Sequence, residues 1–215
     1  MYVPAHFAAD DADGLIARLA RRWAAVLITI DSDGMPVGSH LPILWDAEKR
    51  VATGHIARAN PQWKQGPGNG LIVLSGAEAY VTPGWYPSKA VHGKTVPTWN
   101  YEAVHISGAV EWFDDAARLE AVVAELSRMH EQDRAEPWAI GDAPRPYIDA
   151  LLRGIVGVSL TAERVEAKRK LSQNKNAADF NGVARGLSES SEPMAQEVGQ
   201  LMDKTRTQGG DPDGN

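Results

Sequence analysis

Three short segments set a cation beside amide or hydroxyl donors in otherwise apolar surroundings: Gly54-His55-Ile56-Ala57-Arg58-Ala59-Asn60-Pro61, Pro83-Gly84-Trp85-Tyr86-Pro87-Ser88-Lys89 and Lys170-Leu171-Ser172-Gln173-Asn174-Lys175. A phosphate dianion is held by charge-assisted donors of this kind. Around these segments fall Trp63, Trp85, Tyr86, Trp99 and Tyr101, in a chain with seven tryptophans. Aromatic faces with polar groups at their edges suit a flat ring, although core packing is the simpler role for each tryptophan taken singly.

Other motifs fail on spacing. Gly93-Lys94-Thr95 would need a glycine where Ser88 stands to form a phosphate loop, and 66–70 lacks the glycine spacing and preceding strand of a dinucleotide fingerprint. There is no Gly-x-Ser-x-Gly elbow, and His130-Glu131 is followed by Gln132-Asp133 rather than by a second histidine. The six histidines are scattered, so spacing nominates no metal site. His55 and His105 are candidates for proton transfer, with a packed or solvated imidazole as the simpler role for both.

The elements that must carry these residues are mostly strands. Acidic residues at 10–13 precede Leu15, Ile16, Leu19 and Trp23 at helical spacing, with Arg18, Arg21 and Arg22 following, a charge order that suits the helix dipole. Strands are predicted at 25–30 and 37–45, joined by the turn Asp31-Ser32-Asp33-Gly34, and at 51–57 after a second turn at 46–49. Further strands are expected at 71–75, 78–82 and 155–160, with 96–113 as one long or bent strand and Gly108 as a bulge site. Helices are expected at 61–65, after Asp114-Asp115 and at 147–152. Short strands with tight turns argue for an antiparallel meander, hence a small barrel decorated by helices. A linker is expected at 188–193, a helix at 194–205 and a disordered tail from 209.

Composition narrows the class. Of 215 residues, 43% are hydrophobic and 23% charged, as in ordinary soluble domains. The absence of cysteine removes disulfides, thiolate nucleophiles and Cys-type metal centres. No signal-like or membrane-spanning stretch is present, so a cytoplasmic protein without membrane contact is expected. Lys plus Arg is 22 against 28 for Asp plus Glu, a formal net charge of -6, so nucleic acid is not attracted by the chain as a whole. The best local basic patch is Arg164, Lys168, Arg169, Lys170 and Lys175, for which a solvated face is the simpler reading.

At the three polar segments the chain resembles the FMN-binding negative transcriptional regulators of the PaiB type. The resemblance opens at Met1-Tyr2-Val3-Pro4-Ala5-His6-Phe7 and continues through Ser39-His40-Leu41-Pro42, the three segments, residues 80–89 and 96–105, to Gly182-Val183-Ala184-Arg185-Gly186-Leu187. It implies a mainly β chain with peripheral helices, a split β-barrel of the pyridoxamine phosphate oxidase type, over residues 1–187. Residues 188–215 are then a C-terminal helical extension and tail. It also implies FMN at the interface of a homodimer. By position in related barrels, Arg58 is the expected phosphate ligand, with Asn60 in the same turn. Ser88 and Lys89 are further phosphate donors, Trp99 and Asn100 face the ring, and Gln173 and Asn174 reach the flavin across the dimer.

Three functions follow from these residues. The first is an FMN-binding regulatory protein with DNA as its partner, although no helix-turn-helix pattern is present. The second is a flavin-dependent oxidoreductase in which FMN carries hydride chemistry. The third keeps the barrel and replaces FMN by another flat ligand such as pyridoxal phosphate or haem.

Overall fold

In the computed structural model, residues 1–208 are described, the side chains of 206–208 excepted, and the tail expected to be disordered lies outside them. The strands are β1 (Ala25–Ile30), β2 (Pro36–Leu41), β3 (Ile43–Asp46), β4 (Val51–Ala57), β5 (Gly68–Val81), β6 (Thr98–Phe113) and β7 (Ile155–Lys170). The helices are α1 (Ala12–Arg22), α2 (Ser88–His92), α3 (Ala116–Glu131), α4 (Arg145–Arg153), α5 (Ala177–Ser188) and α6 (Pro193–Gln208). The strands form one sheet in the order β2-β1-β5-β6-β7-β4-β3. The chain divides into two compact units, and β5, β6 and β7 each contribute one end to either unit.

The first of these, residues 11–74 and 104–166, is the barrel. Its opening helix forms because Asp11 caps it, accepting from the Gly14 amide at 2.8 Å, and because Leu15, Ile16 and Leu19 bury one face completely. β1 and β2 pair antiparallel through the expected turn, where the Asp31 carboxylate accepts from the amides of Asp33 and Met35 and Gly34 takes a left-handed φ of 79°. The predicted return strand 37–45 is two strands, because Pro42 has no amide to continue a ladder. β2 stands at one edge of the sheet and β3 at the other, although one residue separates them in sequence. Two edges joined by so short a connection can only meet if the sheet curls into a closed barrel, as expected.

The interior follows the strand alternation. Leu27, Ile56, Ile72, Leu74, Ile106, Val158 and Leu160 are all buried, each such side chain contributing about 1.5–3 kcal/mol. Gly108, expected as a bulge, sits where an added Cβ would lie 1.9 Å from the Thr161 carbonyl oxygen, so β6 and β7 approach too closely there for any side chain. α3, capped by Asp115, packs Leu119 against Ile148 and Leu152 of α4.

The second unit, residues 1–10, 75–103 and 167 onward, is built on the remaining strand ends. Ala77, Ala79 and Val81 of β5 form a core with Leu171, with Val183, Ala184 and Leu187 of α5, and with Ala195, Val198 and Met202 of α6. The N-terminal segment adds to the free edge of β7 through a bridge between Ala8 and Lys168. Among the described residues, no helix is long and apolar enough to cross a membrane.

Candidate functional site

In the second unit, strand alternation sorts the side chains. One face, carrying Ala77, Ala79, Asn100 and Glu102, is buried. The other carries Tyr80 of β5, Trp99 and Tyr101 of β6, and Lys168 and Lys170 of β7, three strands that are neighbours in the sheet. Tyr80 and Trp99 meet edge to face, ring centres 6.1 Å apart, and remain 49% and 50% exposed. The Lys168 and Lys170 ammoniums lie 5.2 and 5.9 Å from the Tyr101 ring centre. Lys170 also donates to the Thr98 hydroxyl and the Trp99 carbonyl.

On the buried side, where α5 packs on Ala77, Ala79 and Val81, the turn at 83–85 leads into α2 and is seated on α5. Both Ser88 donors are taken up by the Asp179 carboxylate: the amide at 3.1 Å and the hydroxyl at 2.8 Å. Gly182 and Gly186 present bare backbone to Trp85, where a Cβ would stand 2.1 Å from the Trp85 carbonyl oxygen and 2.4 Å from its ring. An open cleft of about 650 Å³ results, lined by Trp85, Tyr86, Lys89, Arg185 and Glu189 among others. Tyr86 is 3% exposed, and its hydroxyl has no hydrogen-bond partner among the described residues. Burial, and then the Asp179 charge, push its phenol above the usual tyrosine range, so it stays a neutral hydroxyl. The Lys175 ammonium sits 5.0 Å from the Tyr86 ring centre.

Six of the eight residues nominated from sequence belong to this unit, though not all in one place. Trp99 is on the open face and Lys89 lines the cleft. Asn100, the next residue along β6, points the opposite way and is fully buried, its amide 3.4 Å from the Met202 sulfur and its carbonyl accepting from Ser172 at 3.1 Å. Gln173 closes the turn after β7, accepting from the Leu171 amide and donating to the Arg169 carbonyl. Ser172 in that turn is left-handed, with φ of 64°. Asn174 is exposed.

Arg58 and Asn60 belong to the barrel unit. Arg58 donates to the carbonyls of Arg153 at 2.8 Å and Ile155 at 3.0 Å, and its remaining edge faces the Asp114 carboxylate at 3.6 Å. Most of its donor fork is thereby occupied, and the adjacent cleft of about 300 Å³ is lined by Asp114 and Asp149 as well as by Arg58 and Arg153. Asn60 caps the 3-10 turn Pro61–Gln65, accepting from the Gln62 amide, and donates to the Ser39 hydroxyl at 2.7 Å. Burial lowers the pKa of both His55 and His105, which keeps each imidazole neutral at pH 7. The His55 Nδ1 is buried without a partner among the described residues.

Sequence reasoning missed Tyr80 as part of the open face, and it missed Asp179, Gly182 and Gly186, which seat the 83–89 segment. The available signal was Asn176-x-x-Asp179, a helix cap, followed by two glycines one helical turn apart.

Comparisons with known proteins agree with this architecture. Residues 1–164 match the family described as "Putative FMN-binding domain". Protease synthase and sporulation protein PAI 2 of Bacillus subtilis is 30% identical over 213 residues, covering 97% of this chain and 100% of its own. Among solved structures, conserved hypothetical protein Rv2991 of Mycobacterium tuberculosis aligns with a TM-score of 0.56 at 14% identity, covering 81% of this chain and 92% of its own. The flavocytochrome Anf3 of Azotobacter vinelandii aligns with a TM-score of 0.56 at 12% identity, covering 84% and 78%. At such identities the two structures speak to the split-barrel fold alone.

Proposed function

The chain belongs to the FMN-binding domain family, and on that premise we propose that it is an FMN-binding regulatory protein, homodimeric and cytoplasmic. The observation that carries the regulatory part is the alignment, along almost the whole of both chains, with a relative named for protease synthesis and sporulation. The residues present fit the cofactor. The open face offers aromatic rings for a flat ring system and lysine ammoniums for a phosphate. Trp99, Tyr80 and Tyr101 would hold the ring, and Lys89 and Asn174 are the exposed donors nearest in sequence to the cleft and the last turn. FMN supplies reversible electron and hydride transfer when bound. The chain orients it and sets its surroundings. A half-bare aromatic pair on a sheet face also supports pairing with a second copy, which would cover it.

The test separates regulation from turnover. Purified protein loaded with FMN is mixed in air with NADH or NADPH, and nucleotide consumption is followed alongside retention of genomic DNA at several salt concentrations. The regulatory reading expects nucleotide consumption at background, salt-sensitive DNA retention, and a solution mass twice the 23.3 kDa of one chain. Sustained consumption of NADH or NADPH with no DNA retained would replace it by the oxidoreductase reading.

A further inference from the structure

Lys168 is 8% exposed. A buried ammonium ordinarily sits against a carboxylate, because leaving water costs several kcal/mol that only an opposite charge or full hydrogen bonding offsets. This one donates to a single carbonyl, that of Tyr2, at 3.2 Å, and otherwise faces the rings of Phe7 at 5.9 Å and Tyr101 at 5.2 Å. Among the described residues of its unit, no carboxylate pairs with it or with Lys170. Glu102 lies on the opposite face of β6 and pairs with Arg169 at 3.1 Å.

Lys170, two residues along the same strand, reaches the same tyrosine ring and is half-buried. Its pKa is lowered, first by burial and then by the like charges of Lys168 and Lys175. Cations gathered where they repel one another weaken a fold, and such gatherings mark places where an anion is bound.

We infer that Lys168 and Lys170, 5.2 and 5.9 Å from the Tyr101 ring centre, form a subsite for the phosphate monoester of a ligand whose flat ring lies along Trp99 and Tyr80. The inference deepens the FMN reading and rests on it. A terminal phosphate carries close to two negative charges, which two ammoniums match, and each lysine acts on it as a point charge. A nucleic-acid backbone presents single charges in a row and is met by a row of exposed cations. Here one of the two cations is almost wholly buried, so a phosphate at the end of a small ligand is the better fit. Both lysines belong to the cluster that from sequence alone reads as a solvated basic patch.

The test compares FMN with riboflavin, which lacks only the phosphate, by quenching of flavin fluorescence on the full chain and on Lys168→Met and Lys170→Met. Each variant is expected to bind FMN about tenfold more weakly or worse, a loss of about 1.4 kcal/mol per factor of ten, with riboflavin affinity unchanged within about twofold. Inorganic phosphate competes with FMN on the unaltered protein and loses that effect in the variants. Flavin-free Lys168→Met melts no lower than the unaltered protein, since an unbranched apolar side chain replaces a poorly compensated buried charge, whereas a purely structural lysine would lower the melting temperature. If Lys168→Met does not fold, the half-buried Lys170→Met decides the matter. Unchanged FMN affinity, or equal weakening of FMN and riboflavin, overturns the subsite. So does loss of DNA retention with FMN affinity intact, which gives the pair to nucleic acid. An unaltered protein that binds neither flavin overturns the FMN reading itself, a result distinguishable because it needs no variant.

Discussion

Gly182→Val is expected to lower stability by about 3 kcal/mol or more, a drop in melting temperature of roughly 6–12 °C for a chain of this size. Glycine inside a helix normally costs stability, so replacing Gly182 on α5 would ordinarily strengthen the fold by up to about 1 kcal/mol. The sign reverses because a Cβ at this position would lie 2.1 Å from the Trp85 carbonyl oxygen and 3.1 Å from Pro87. The nearest atom is backbone, so the 83–89 segment has to lift off α5, carrying Trp85, Ser88 and Lys89 away from the cleft. Flavin affinity should fall with stability. A melting curve by circular dichroism checks it, and an unchanged or higher melting temperature would mean that the segment is seated in some other way.

Asp179→Asn is expected to cost about 2–3 kcal/mol at pH 7, because a buried carboxylate that accepts from the Ser88 amide, the Ser88 hydroxyl and the Asn176 amide is replaced by a group with one acceptor and two donors. Burial alone would raise the pKa of Asp179, but the Ser88 and Asn176 donors, with the Lys175 charge, more than offset it and hold the carboxyl below the usual aspartate range. The folded pKa therefore lies below the unfolded one. The stabilisation is complete above the unfolded value of about 4 and is lost as pH falls through the folded value. Urea midpoints at pH 7 and pH 3 should differ widely between the two proteins at the first and converge toward the second. An equal gap at both would show that the carboxylate charge is not what holds Ser88 in place.

The barrel was legible because its strands alternate and its turns carry Asp and Gly where the backbone requires them, as at Asp31 and Gly34. The division at Pro42 was not, since two strands at opposite edges of a sheet look continuous in sequence until a partner strand is known for each. The long ends of β5 and β6 were legible, as strands expected at 78–82 and 96–113, whereas that of β7 beyond residue 160 was hidden by its polarity. Glu163 to Lys170 reads as a solvated run, yet Ala167 and Lys168 are buried within it. α5 escaped notice because Gly182 and Gly186 lower helix propensity, and the reason for them lies about a hundred residues away at Trp85.

The residue types of the candidate site were legible in the sequence, and their partnerships were not. Arginine and lysine near aromatics pointed to a phosphate and a ring, but no sequence shows that Arg58 is engaged by the carbonyls of Arg153 and Ile155, or that Asn60 is a turn cap. Trp99 and Asn100 were both nominated to face the ring, and adjacent residues on one strand point to opposite faces. Conversely, Lys168 and Lys170 share a face because they are two apart, a fact available from sequence only once that stretch is known to be a strand.

The central claim is that this chain binds FMN, and an absorbance titration of the purified protein with FMN from 300 to 600 nm tests it most directly. The account predicts a perturbed flavin spectrum that saturates at one FMN per chain. Superimposable spectra of free and mixed flavin at every protein concentration would contradict it.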